Sequence, residues 1–176
     1  MDFLCSPLVE NPPDELVLLG FGYLSPYRVA GMAEPGREGI QATLALLARR
    51  GIGAVLTLTE DDLLARFYLS AGFAHAHVPV DDGGAPSFAE MDRAMDFIQT
   101  NLARGRGVAV HCLEGRGRTG LVLGAFLARE EGLGWPRVFQ RLKEARPSTV
   151  LNDAQRRFLA AYLDSMPTAE RPRYFP

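Results

Sequence analysis

Val108-Ala109-Val110-His111-Cys112-Leu113-Glu114-Gly115-Arg116-Gly117-Arg118-Thr119-Gly120, followed by the apolar run Leu121 to Ala128, decides how this chain folds. Val108 to Val110 reads as a short buried strand, and Thr119 onward as a helix that is apolar around nearly its whole circumference and therefore central. Between them lies a loop in which five residues separate Cys112 from Arg118. A strand, loop and helix start in this order makes an anion cradle, because the loop amides and the first-turn N–H groups converge on one spot where the helix dipole adds positive potential. Gly115, Gly117 and Gly120 let the backbone curl close to its guest.

The same cradle favours the thiolate of Cys112, since a helix N-terminus and a neighbouring cation both stabilise a negative sulfur. Arg118 offers a planar two-toothed fork to a tetrahedral oxyanion and stays charged. A buried inert cysteine with turn-forming glycines is the plain alternative for Cys112 alone. Preceding His111, the five-residue spacing and the hydroxyl of Thr119 together favour a nucleophile beside an oxyanion clamp. Leu113, Glu114, Gly115, Arg116 and Gly117 then become the substrate-binding loop. Glu114 is expected to face away from the anion or to pair with a cation, since a free carboxylate there repels phosphate.

His111-Cys112, five residues, Arg118 and Thr119 resemble the signature of the cysteine-dependent protein tyrosine phosphatase superfamily, and the spacing looks most like the small atypical dual-specificity phosphatases. The resemblance covers about residues 20 to 165 and implies a cysteinyl-phosphate mechanism without a metal or cofactor. It also implies that Thr119 donates a hydrogen bond to the Cys112 sulfur and that His111 orients the loop from behind.

Pro79-Val80-Asp81-Asp82-Gly83-Gly84-Ala85-Pro86 is the second informative stretch. Two acids on a Gly/Pro-rich loop read most simply as solvated turn residues. In the resembled family a loop in this place supplies the general acid, and the pattern falls on Pro79, Asp82 and Pro86, with Asp81 as the alternative acid. The family also places an Asn or Gln near the site late in the chain, which makes Asn152 and Gln155 candidates to steer water, beside a simpler reading of Asn152 as a helix cap.

Around these stretches the chain alternates strand-like and helix-like segments. Leu16 to Leu19 and Tyr27 to Ala30 are short strand candidates after an irregular lead-in at Asn11-Pro12-Pro13-Asp14. Gly39 to Arg50 is helical, Ala54 to Thr59 is a strand suited to the centre of a covered sheet, and Glu60-Asp61-Asp62 is expected to cap a helix running to Gly72. Phe73 to Val80 reads as a strand carrying His75 and His77 on one face; half a metal site there lacks an evident third ligand. Ser87 and Glu90 form a capping box for a helix ending near Gly105, Pro136 opens another, and Arg146-Pro147-Ser148 breaks it. The last helix follows Asn152. The expected fold is α/β, a central mainly parallel sheet of about four to five strands flanked by helices.

The 176 residues, 47% hydrophobic and 23% charged, suit a single domain over 1–165 with a loosely held tail over 166–176. A net charge of −2 gives no global reason to expect nucleic acid or a membrane surface as partner. Cys5 and Cys112 are the chain's two cysteines and support neither a disulfide framework nor a zinc site, so a reduced cytoplasmic setting is expected, or a nuclear one if the source is eukaryotic. No apolar run reaches transmembrane length, and a monomer is expected. The expected activity is hydrolysis of phosphomonoesters, first on phosphotyrosine and phosphoserine or phosphothreonine in proteins. The alternatives are a phosphoinositide or other non-protein phosphate, suggested by the charge of Arg116, and a pseudophosphatase that captures phosphate without turnover.

Overall fold

The computed structural model describes residues 19–166. Five strands form one sheet in the order β1-β2-β5-β3-β4. They are β1 (Gly22–Tyr23), β2 (Val29–Ala33), β3 (Ile52–Thr57), β4 (Ala74–His77) and β5 (Gly107–Cys112). β1 pairs antiparallel with β2 at the edge, and the remaining pairings are parallel. The expected α/β class, sheet character and strand number are those observed.

β5 lies between β2 and β3 and is buried along its whole length, the position its unbroken apolar run requires. Among the described residues six helices cover the sheet: α1 (Ile40–Arg49), α2 (Ala65–Ser70), α3 (Phe88–Ala103), α4 (Gly117–Glu131), α5 (Trp135–Ala145) and α6 (Asp153–Ser165). One core layer gathers Ile40, Leu44 and Leu47 of α1 with Tyr68 of α2 against Val55 and Ala109. The other gathers Met91, Met95 and Ile98 of α3, Leu121 to Ala128 of α4, and Leu159 of α6 against Val108 and Val110. The period of two along β5 thus sends Val108, Val110 and Cys112 to the α4 side and Ala109 to the α1 side.

Several expected boundaries move. α4 starts at Gly117, two residues before Thr119, because the loop tightens earlier than the apolar run indicates. The helix expected to be capped by Glu60-Asp61-Asp62 is shorter: Leu64 is its N-cap, and its first turn holds no acid. β4 ends at His77, although the amides of Val78 and Val80 continue to hydrogen-bond Thr57 and Leu58 carbonyls at 3.0 and 3.2 Å. β2 begins at Val29 rather than Tyr27 and runs on to Ala33, paired throughout with β5. The strand candidate at Leu16 to Leu19, the lead-in, Cys5 and the tail beyond Met166 lie outside the described residues, except that Leu19 sits in a turn. Both expected caps of α3 and α6 form, each as a reciprocal capping box, Ser87 with Glu90 and Asn152 with Gln155.

Candidate active site

Cys112 is the last residue of β5, and Arg118 stands in the first turn of α4, whose N-cap is Arg116. Both side chains are recessed, at 3% exposure for each residue, yet both line one open cavity of about 330 Å³. Leu113, Glu114, Arg116 and Gly117 border the same cavity. Gly115 makes the tightest turn of the loop: its φ is +69°, and a Cβ there would stand 2.3 Å from the Met32 carbonyl. Only glycine lets the loop fold back against β2 in this way.

Arg118 is held from two sides. Its Nη1 donates to Glu60 Oε2 at 2.8 Å and to the Val80 carbonyl at 2.8 Å, while Nη2 donates to Asp82 Oδ1 at 3.1 Å. Burial by itself would lower the Arg118 pKa, but the Glu60 hydrogen bond, a charge on Cys112 and the two carboxylates outweigh it and hold the guanidinium above its ordinary value. Glu60 is held below the usual carboxylate range by its own backbone N–H first and by Arg118 next. Its other oxygen accepts the Asp82 backbone N–H at 2.8 Å. Glu60 therefore joins the guanidinium to the loop that carries Asp82. Sequence reading assigned this residue to a helix cap, and no spacing signal links position 60 to position 118; only the meeting of the β3 and β4 exits with α4 brings them together.

Asp82 lines the cavity with its carboxylate largely exposed. Asp81 is not among the lining residues, and its carbonyl closes a turn with the Gly84 amide at 2.8 Å. Asn152 and Gln155 also line the cavity and do more than cap α6. Asn152 Nδ2 donates to the Gly83 carbonyl at 2.7 Å and Gln155 Nε2 to the Gly84 carbonyl at 3.0 Å, so the two amides tether the Asp82 loop from below. Glu114 is exposed, 3.9 Å from Arg116, whose Nε donates to the Ser148 carbonyl at 3.2 Å.

His111 points to the opposite side of β5. Its Nε2 lies 2.9 Å from Thr57 Oγ1 and 3.0 Å from the Tyr68 hydroxyl, and Thr57 Oγ1 lies 3.0 Å from His75 Nε2. Burial pushes the His111 pKa down to about 3; contact with the Cys112 main chain acts the other way but is outweighed. The ring is thus neutral and fixed by two hydroxyls behind the loop. His75 meets Asp62 at 3.5 Å, and His77 meets the Thr59 carbonyl at 2.7 Å. Thr119 Oγ1 is buried without a hydrogen-bond partner in the structure, so the contact to the Cys112 sulfur implied by the resemblance is not made here.

A cysteine and an arginine stand at the two ends of a tight loop between a central parallel strand and a buried helix, the arrangement that the resemblance to dual-specificity and tyrosine phosphatases implies. The family model described as "Polymorphic toxin system, DSP-PTPase phosphatase" matches residues 30–132, and the chain belongs to that family. It is 29% identical over 120 residues to Phosphatidylglycerophosphate phosphatase PTPMT2 of Arabidopsis thaliana, covering 66% of this chain and 53% of that protein. It is also 29% identical over 137 residues to Dual specificity protein phosphatase 12 of Rattus norvegicus, covering 73% of this chain and 40% of that protein. The chain thus spans about half or less of the length of these relatives. Among solved structures, Tk-PTP in the active form superposes with a TM-score of 0.74 at 24% identity, covering 84% of this chain and 98% of that one. PTPMT1 in complex with PI(5)P gives 0.71 at 19%, covering 82% and 94%. Both share the fold.

Proposed function

We propose that this protein hydrolyses phosphomonoesters through a cysteinyl-phosphate intermediate, with Cys112 as nucleophile, Arg118 as oxyanion clamp and Asp82 as acid and then base. The observation that carries this reading is that one cavity is lined by all three residues. The Cys112 sulfur attacks phosphorus in line, a P–S bond forms, and the P–O bond to the alcohol breaks as Asp82 gives that oxygen its proton. Water then attacks phosphorus, Asp82 takes the proton, and the P–S bond breaks to return the thiolate and inorganic phosphate. Substrate oxygens would take over Arg118 Nη2 from Asp82, which turns the Asp82 carboxyl toward the leaving oxygen. His111 holds the loop, and Thr119, whose buried hydroxyl has no partner, would donate a hydrogen bond to the departing sulfur as the family resemblance implies.

The first substrate class is phosphotyrosine and phosphoserine or phosphothreonine in proteins. Support comes from the likeness to Dual specificity protein phosphatase 12. A lipid or inositol monophosphate is the second reading, favoured by the likeness to a phosphatidylglycerophosphate phosphatase.

Wild type is expected to release phosphate from p-nitrophenyl phosphate and Cys112→Ser to release none. Retention of phosphate without release by the wild type would instead identify a capture module. Phosphopeptides and phosphatidylglycerophosphate vesicles, compared by kcat/KM, then rank the two substrate classes.

A further inference from the structure

We infer that Arg146 is a positioning residue of the phosphate-binding loop, a buried cation that holds the loop in its anion-accepting form from behind. The inference rests on the cysteinyl-phosphate reading of the site. Arg146 follows α5, where the sequence shows only a helix breaker, and is 2% exposed. Its Nη1 donates to the Gly115 carbonyl at 3.0 Å and its Nη2 to the Gly20 carbonyl at 2.8 Å, while Nε is buried without a partner. Among the described residues no carboxylate forms an ion pair with it. A buried charge left unpaired is costly, so its persistence asks for a counter-charge.

The fold makes room for this side chain deliberately. Gly22 of β1 and Gly31 of β2 are direct register partners, and together they form a trench under the guanidinium. A Cβ at Gly31 would stand 2.3 Å from Arg146 Nη1, and one at Gly22 would stand 3.1 Å from its Cγ. From that trench the guanidinium draws the Gly115 carbonyl backward. In a trans peptide C=O and N–H point in opposite directions, so the Arg116 N–H is turned the other way. Burial pushes the Arg146 pKa down to about 10, still charged at neutral pH, and a charge on Cys112 at the start of the loop opposes that fall. The charged groups near the sulfur are Arg118 from α4 with its partner Glu60, Asp82 from its loop, Glu114 and Arg116 from the loop itself and Arg146 from behind, with neutral His111 adjacent in the chain.

Arg146→Met, Arg146→Lys and Arg146→Gln test this, the last keeping a hydrogen-bond donor while removing the charge. Inorganic phosphate affinity is read by calorimetry, and the rate of Cys112 alkylation by iodoacetamide at fixed pH is read by peptide mass spectrometry. Arg146→Met should weaken phosphate binding about tenfold and slow alkylation by a similar factor, and Arg146→Lys should recover most of the alkylation rate because the charge returns. A merely structural role predicts that Lys recovers no more than Met. A folded Arg146→Met with wild-type phosphate affinity and alkylation overturns the inference. If that variant does not fold, Arg146→Gln decides by the same two measurements, with loss of both supporting the inference and retention of both overturning it. Neither measurement needs turnover, so an inactive wild type would sink the phosphatase reading while leaving this one to be judged separately.

Discussion

Glu60 and Asp82 grip the same guanidinium, but the chemistry proposed here asks different things of them. Asp82 has an exposed carboxylate at the cavity edge, where it can reach a leaving oxygen. Asp82→Ala should therefore slow hydrolysis of alkyl phosphates by about 10²–10⁴ and that of p-nitrophenyl phosphate far less, since a good leaving group needs no proton. Equal losses on both, measured as kcat across a leaving-group series, would reject the acid role. Glu60 touches Arg118 and the Asp82 backbone rather than the cavity. Glu60→Ala should lower kcat/KM roughly tenfold on good and poor leaving groups alike, because it loosens the clamp rather than removing the proton. The two variants thus separate by their leaving-group dependence. At this scale the chain was partly legible: Cys112 and Arg118 stand out by residue type and spacing and Asp82 only through the family resemblance, with Asp81 as the alternative, while Glu60 sits in an acidic cluster that local rules assign to a helix start.

Among the elements, the loop between β5 and α4 depends on β2 for its shape. The close approach of Gly115 to the Met32 carbonyl, at a positive φ, leaves no space for a side chain. Gly115→Ala should push the loop off β2 and cost about 100-fold in kcat/KM, the scale of an ångström of misplacement, while the fold persists. Circular dichroism with steady-state kinetics checks this; an active Gly115→Ala would show that the loop does not need its present curl. The short helix α2 carries the opposite lesson. Tyr68 looks like an ordinary core residue, yet its hydroxyl meets His111 behind the loop. Periodicity reveals that such a residue is inward, not which buried polar atom it meets.

For the molecule as a whole, acid sensitivity follows from His111. Its ordinary pKa is 6.5 and burial brings it to about 3 in the folded state. Between those values the unfolded chain holds a proton that the native state refuses, so the associated stability is complete above pH 6.5 and is lost as pH falls toward 3. The slope is about 1.4 kcal/mol per pH unit for this one group. Glu60 and Glu90, both held below the usual carboxylate range, add in the same direction at the acid end. Denaturant midpoints should therefore drop steadily from pH 6.5 downward, and His111→Asn should flatten the decline. A midpoint that stays constant across that window would show that the imidazole titrates normally.

The sequence by itself determined the α/β class, the central strand, the buried helix behind the loop and the spacing of Cys112 from Arg118, because each is a local pattern of period, glycine and residue type. Capping boxes at Ser87 and Asn152 were equally local. Tertiary structure alone decided that Glu60 would bridge Arg118 to the Asp82 loop, that Asn152 and Gln155 would tether that loop, and that two paired glycines would admit Arg146 beneath Gly115. Those contacts join segments far apart along the chain, and the physical rule that governs them, pairing of buried or clamped charge, acts only once the sheet has brought them within a hydrogen bond of one another.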